Sequence, residues 1–198
     1  YITRGTTGVE LITDPGSLVI GAALYTYGRV AHKGNIEALG WHGTESVMIA
    51  GGTTWILKSL AGRARPYVSK DTSPADFQLL GGFRNGDRMS FPSGHATTAF
   101  AAASSVTSEA AIIWPGHTWL VAPAMYGGAT LVGLSRMYHD KHWASDVVVG
   151  AAIGTFTGIK VIRYTHSHPN NRLDRAILKD KAAGVRIPVA TFRVPFSF

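Results

Sequence analysis

The chain has 198 residues, enough for one sizeable domain and too few for two comfortable ones. Apolar residues make up 45%, which supports a packed core, and the absence of Cys excludes disulfides, thiolate zinc sites and cysteine catalysis together. The net charge of +7 favours anionic partners; with no dense basic run and no nucleic-acid motif, phosphorylated substrates or a membrane surface fit better than nucleic acid.

Residues 1–16 are rich in Gly and Thr and read as an arm ending in the turn Asp14-Pro15-Gly16. Tyr1 stands first, which leaves a removed leader or tag open. Asp14 suits an N-cap and Pro15 the first position of a helix running to about His32, where Lys33-Gly34-Asn35 breaks it. Ile36–Trp41 reads as a short amphipathic piece, followed by a helix from about Thr44 to Leu60 that contains Gly51-Gly52. Such a pair costs stability unless another backbone packs close.

Residues 66–91 form a long excursion punctuated by Pro and Gly, with one helical turn expected at Asp76–Leu80. A connection of this length inside a compact domain tends to be functional. Helices follow over Ala96–Ser108 and, after the turn Trp114-Pro115-Gly116, from Thr118 to Leu134 with Pro123 bending its early part. Another helix runs from about Lys141 to Tyr164. Beyond a loop at His166–Asn171, Arg172–Ala183 is a short amphipathic helix and residues 184–198 an extended tail.

The weakly polar stretches, the longest being Thr118–Ser135, are rich in Ala, Gly, Ser and Thr. They fall short of the ~20 strongly apolar residues a spanning helix needs. They read as buried helices of a soluble bundle whose small residues permit close approach, with peripheral membrane contact left open.

Three pieces carry chemistry. In Ser135–Asp146, His142 stands four residues ahead of Asp146, and on a helix the two would share a face. A carboxylate holding one ring nitrogen leaves the other unprotonated, as a nucleophile or general base requires. Arg136, six residues upstream of His142, offers a planar fork of donors suited to phosphate. In Pro92-Ser93-Gly94-His95, Ser93 is a good N-cap and the following N–H groups suit phosphate oxygens; the plainer reading is an ordinary capped helix. Lys58 and Arg65, seven residues apart, fall on one side of a helix end, where cations also suit the helix dipole. His139 and Asp140 read as surface or supporting residues. His139, His142 and Asp146 could in principle ligate a metal, but converging cations disfavour one. Trp143 packs beside the site or floors it, and His32, His42, His117, His166 and His168 look like turn or surface residues.

Together, Lys58-x6-Arg65-Pro66, Pro92-Ser93-Gly94-His95 and Ser135-Arg136-x5-His142-x3-Asp146 resemble the three-part signature of the type 2 phosphatidic acid phosphatase family. That family includes bacterial non-specific acid phosphatases and vanadium haloperoxidases. The match keeps order and internal spacing and spans Lys58 to Asp146.

The resemblance implies an all-α fold, a single bundle of about six core helices over residues 1–198, with the site at one end. It implies that Lys58, Arg65 and Arg136 neutralise phosphate oxygens and that Ser93 and the Gly94 N–H donate to them. His142 would attack phosphorus to give a phosphohistidine while Asp146 fixes its tautomer, and His95 would protonate the leaving oxygen and later activate water. No metal or other cofactor is implied. The expected activity is hydrolysis of a terminal phosphate on a lipid phosphate, an isoprenyl diphosphate or a small phosphomonoester. The family also implies export, to the periplasm or to a membrane facing it. A vanadate-dependent haloperoxidase using the same anion cradle is one alternative, for which a chain this short leaves little room. An inactive, membrane-associated anion-binding module is another, and it needs neither His142 nor Asp146.

Overall fold

The computed structural model describes residues 15–68, 71 and 73–178; the N-terminal arm before Pro15, with the Asp14 cap, and the extended tail lie outside them. Within that range six α-helices form and no strand does. They are α1 (Pro15–Val30), α2 (Gly34–Ala61), α3 (Gly94–Ile113), α4 (Thr118–Tyr138), α5 (Ala144–Ser167) and α6 (Arg172–Leu178). The all-helical expectation holds.

Helix α3 is the hub, packed against α2, α4 and most broadly α5, while α1 lies along α2. The α3–α5 contact depends on Gly150, Gly154 and Gly158, spaced four apart on one face of α5. A Cβ on Gly154 would stand 2.2 Å from the Thr97 carbonyl oxygen, and one on Gly150 2.6 Å from that of Ser93. Backbone therefore lies on backbone, which only the smallest side chains permit.

The start of one helix differs most from expectation. Helix α2 is one continuous 28-residue helix from Gly34, not a short piece and a later start. Its first turns are held by α1, for a Cβ on Gly28 would fall 2.2 Å from the Glu37 amide, so tertiary packing overrides the weak local signal at Gly40–Gly43. Gly52 has nothing within 4 Å of a built Cβ, so no close backbone accounts for it.

In the long connection, Asp76–Leu80 is not helical. Phe77 bridges to Arg63, and single 3-10 turns form at Pro66–Val68, Gly81–Phe83 and Gly86–Arg88 instead. The segment folds down on the end of α2: Gln78 N–H donates to the Gly62 carbonyl at 3.1 Å, Leu80 N–H to Leu60 at 2.8 Å and Ser90 N–H to Arg63 at 3.1 Å. Gly62 caps α2 in the left-handed region at φ 60°, where a Cβ would also strike the Gln78 oxygen.

The distribution of side chains runs against a soluble bundle. The interior is made mostly of Ala, Gly, Ser and Thr, with Val47, Ala50 and Ala101 packed together. The large apolar side chains point outward on α1 (Val19, Ile20), α2 (Met48, Ile49, Trp55, Ile56), α4 (Trp119 75%, Leu131 68% exposed) and α5 (Val148, Phe156). So many exposed on neighbouring helices far exceed the scattered apolar residues of a soluble monomer. Among the described residues, α5 alone is long and apolar enough by composition to cross a membrane.

Candidate active site

Chain direction brings the three signature segments to one end of the bundle. Helix α2 finishes there, α3 begins there, α4 finishes there and α5 begins there. The segments then touch. The Lys58 ammonium lies 3.4 Å from where a Cβ on Gly94 would stand, so a side chain at position 94 would press on it. Ser93 N–H donates to the Asp146 carbonyl at 2.9 Å, tying the start of α3 to the start of α5. Ser93 is fully buried and caps α3 by accepting from Ala96 N–H at 3.4 Å, so its own hydroxyl proton is left to donate elsewhere. His95 follows on the first turn of α3, half-buried.

His142 is not on a helix. It sits in the connection before α5, whose first residue is Ala144, so the shared helical face expected from the spacing does not exist. The two side chains meet nonetheless, with His142 Nδ1 3.6 Å from Asp146 Oδ2. The shorter contact is different: Nδ1 lies 2.7 Å from the Ser90 carbonyl oxygen. A carbonyl only accepts, so Nδ1 carries the proton and Nε2 is the bare nitrogen of the neutral ring. Ser90, rather than Asp146 alone, fixes the tautomer.

Asp146 anchors the assembly. Its carboxylate caps α5 by accepting from Trp143 N–H at 2.9 Å, accepts from the Ser90 hydroxyl at 2.5 Å, and pairs with the Arg63 guanidinium. Arg63 is buried; it donates to the Pro74 carbonyl and to Ser145 Oγ, with the rings of Phe77, Phe91 and Trp143 5.0–5.8 Å from its guanidinium carbon. Trp143 packs here as well, donating Nε1–H to the Ala64 carbonyl at 3.0 Å.

Arg63 and Ser90 are the supporting residues that the sequence reading missed. Arg63 stood two before Arg65, and in the extended segment after Gly62 residues two apart share a side only if the chain is regular. Here Arg63 turns inward to Asp146, while Arg65 lies close enough to act on His142. Nothing in the local sequence marks Ser90.

Electrostatics favour a neutral His142. Burial pushes its pKa below 6.5, and the positive charges of Lys58 and Arg65 push the same way against the opposing pull of Asp146. Arg136 lies in the last turn of α4, 5% exposed, its carbonyl accepting from Lys141 N–H at 3.0 Å in the connection that carries His142. Of the flanking residues, Asp140 is exposed and His139 is turned to the Ser135 carbonyl at 2.7 Å. His32, His117 and His168 are exposed as expected; His42 and His166 are not surface residues of that kind, since His42 is 4% exposed within α2 and His166 half-buried on α5.

The bundle is all-α, with two histidines, three cations and a capped helix start on segments that meet at one end. The chain is a member of the PAP2 superfamily, whose family model matches residues 40–169. It is similar to "Lipid A 1-phosphatase" of Porphyromonas gingivalis, 37% identical over 40% of this chain and 20% of that protein. It is also similar to "Probable lipid phosphate phosphatase beta" of Arabidopsis thaliana, 27% identical over 55% of this chain and 57% of that one. The chain thus spans between a fifth and somewhat over half the length of these curated relatives. No solved structure matches it.

Proposed function

We propose that this protein is a metal-independent phosphatase that removes a terminal phosphate from a phosphorylated lipid through a phosphohistidine intermediate. The observation that carries the proposal is the setting of His142: buried, its Nδ1 2.7 Å from the Ser90 carbonyl oxygen, with burial and the charges of Lys58 and Arg65 holding its pKa below 6.5. A ring held in that way directs Nε2 as the nucleophile.

Lys58, Arg65, Arg136, the Ser93 hydroxyl and the Gly94 N–H bind the non-bridging oxygens, and this neutralisation with positioning is most of what phosphoryl transfer asks of a protein. In the first step Nε2 bonds to phosphorus as the bond to the leaving oxygen breaks, and His95 gives that oxygen a proton. In the second, His95 takes a proton from water, which attacks phosphorus and frees His142. Three fixed cations do the charge neutralisation that Mg²⁺ supplies elsewhere.

The lipid side of the substrate rests on the outward-facing apolar surface together with the names of the two relatives. Helices with small residues inside and large apolar ones outside are those that pack in a bilayer, where lipid replaces water around the outer faces. We infer that α1, α2, α4 and α5 lie in a membrane, with the phosphate site at one of its surfaces.

Turnover of phosphatidic acid, an isoprenyl diphosphate and p-nitrophenyl phosphate, measured side by side in detergent and with EDTA present, tests the proposal. A lipid phosphate should be the best substrate by kcat/KM, with rates unchanged by EDTA and lost in His142→Ala. Preference for the soluble ester would contradict the lipid assignment, and inhibition by EDTA of protein that stays folded the metal-free mechanism.

A further inference from the structure

At the end of the bundle away from the phosphate site lies a second buried cluster of titratable groups that the proposed chemistry does not use. His42 comes from early in α2, Glu109 from the end of α3 and His166 from the end of α5. At 1.5 Å per residue, Glu109 is about 20 Å along α3 from His95, and His166 about 30 Å along α5 from Asp146.

The Glu109 carboxylate, 1% exposed, stands between the two imidazoles. Oε1 is 2.5 Å from His42 Nδ1 and Oε2 is 2.6 Å from His166 Nε2. One ligating atom from each residue lies within 4.8 Å of the others.

Carboxyl groups outnumber imidazoles there. Behind His42, Asp174 of α6 presents Oδ2 3.6 Å from His42 Nε2, and Asp174 is itself fixed by Trp41 Nε1–H at 3.2 Å and Asn171 Nδ2–H at 2.6 Å. Glu45, one turn along α2, acts electrostatically on both His42 and Asp174, and its Oε2 is buried without a hydrogen-bond partner. Three carboxylates therefore meet two imidazoles in a place nearly closed to water.

We propose that His42, Glu109 and His166 bind a divalent first-row transition cation of the Zn²⁺ class. Two imidazole nitrogens and a carboxylate oxygen are the donor set such ions take. His42 Nε2 has Asp174 Oδ2 at 3.6 Å and no closer hydrogen-bond partner. If His42 were neutral and gave its one proton to Glu109, its bare Nε2 would face that carboxylate; a doubly protonated ring would serve both carboxylates without an ion, and the test below separates the two. Ligation through Nδ1 puts the proton on Nε2 instead, where Asp174 can accept it and orient the ring, as a carboxylate behind a ligating histidine does. Asp174 is then a positioning residue. His166, 22% exposed, gives the ion a way in. The bound cation would tie α2, α3 and α5 together, with α6 docked through Asp174, and would contribute to stability rather than to turnover.

The test uses the full chain purified in detergent, stripped with chelator and titrated with Co²⁺ and Zn²⁺. Expected are visible Co²⁺ bands of a four-coordinate nitrogen–oxygen site, one ion per chain, and a thermal midpoint several degrees higher with Zn²⁺ but not with Mg²⁺. His166→Ala and Glu109→Gln should each abolish the bands, and Asp174→Asn should weaken binding by about 10- to 100-fold. Retained p-nitrophenyl phosphate turnover at the other end shows that a variant is folded. The proposal is overturned if folded wild type gives neither bands nor a Zn²⁺-dependent midpoint, as a protonated His42 alone would produce. It is equally overturned if Co²⁺ binding survives both His166→Ala and Glu109→Gln undiminished.

Discussion

His142 illustrates how much a single side chain's setting decides. Attack needs the neutral ring, so kcat/KM should fall as pH drops through the His142 pKa, and burial with Lys58 and Arg65 places that limb below 6.5. Lys58→Met removes one of the repelling cations. The pKa then rises, and the acid limb of the profile should move to higher pH while kcat falls; a limb that stays in place would show that Lys58 does not act on His142. Arg63 makes the opposite kind of contribution, since it reaches Asp146 rather than the phosphate. Arg63→Met leaves a carboxylate buried without its cation, a loss of about 3–5 kcal/mol of stability. The double variant Arg63→Met/Asp146→Asn should recover part of that loss in thermal unfolding, because no charge is then stranded. At this scale the sequence was partly legible. The eight residues assigned to the phosphate site lie in segments that meet at one end, because spacing within each motif is local. The helper contacts from Ser90 and Arg63 were hidden, since they join residues 52 and 83 positions away through a loop whose path no periodicity reveals.

Among the elements, α3 and α5 carry the site, and glycine governs how near they come. Gly154→Val would drive a side chain into the Thr97 carbonyl and the Ala101 amide, which cannot move aside as a flexible side chain could. Stability should fall by at least the ~1–3 kcal/mol typical of overpacking, with loss of turnover, because Ser93 and Asp146 are held at the same seam. Gly52→Ala is the matched control: with open space around it, the change should stabilise α2 by up to about 1 kcal/mol. Thermal midpoints of the two variants in one detergent compare them directly. Element positions were readable from breakers, as at Ala61-Gly62. Continuity was not: α2 runs unbroken through Gly40 and Gly43 because α1 packs on it, and α5 begins only at Ala144 because Asp146 caps it there.

Across the whole molecule, composition left one feature hidden. Small and hydroxylated residues lowered the apparent hydropathy of the helices and suggested a soluble bundle. The structure puts those residues inside and Trp, Leu, Ile and Phe outside, an arrangement that average composition cannot express. The fold brings four helix ends together, and on the proposed reading the segments from Lys58 to Asp146 there surround one anion. Rapid acid-free quenching with p-nitrophenyl phosphate, followed by mass-spectrometric mapping of the phosphate, tests that convergence most directly. The His95→Ala variant suits it, because p-nitrophenolate leaves without needing a proton while hydrolysis of the intermediate still needs a base. Acid-labile phosphate should then accumulate on His142 and be absent from His142→Ala. Phosphate on another residue, or steady turnover by His142→Ala, would contradict it.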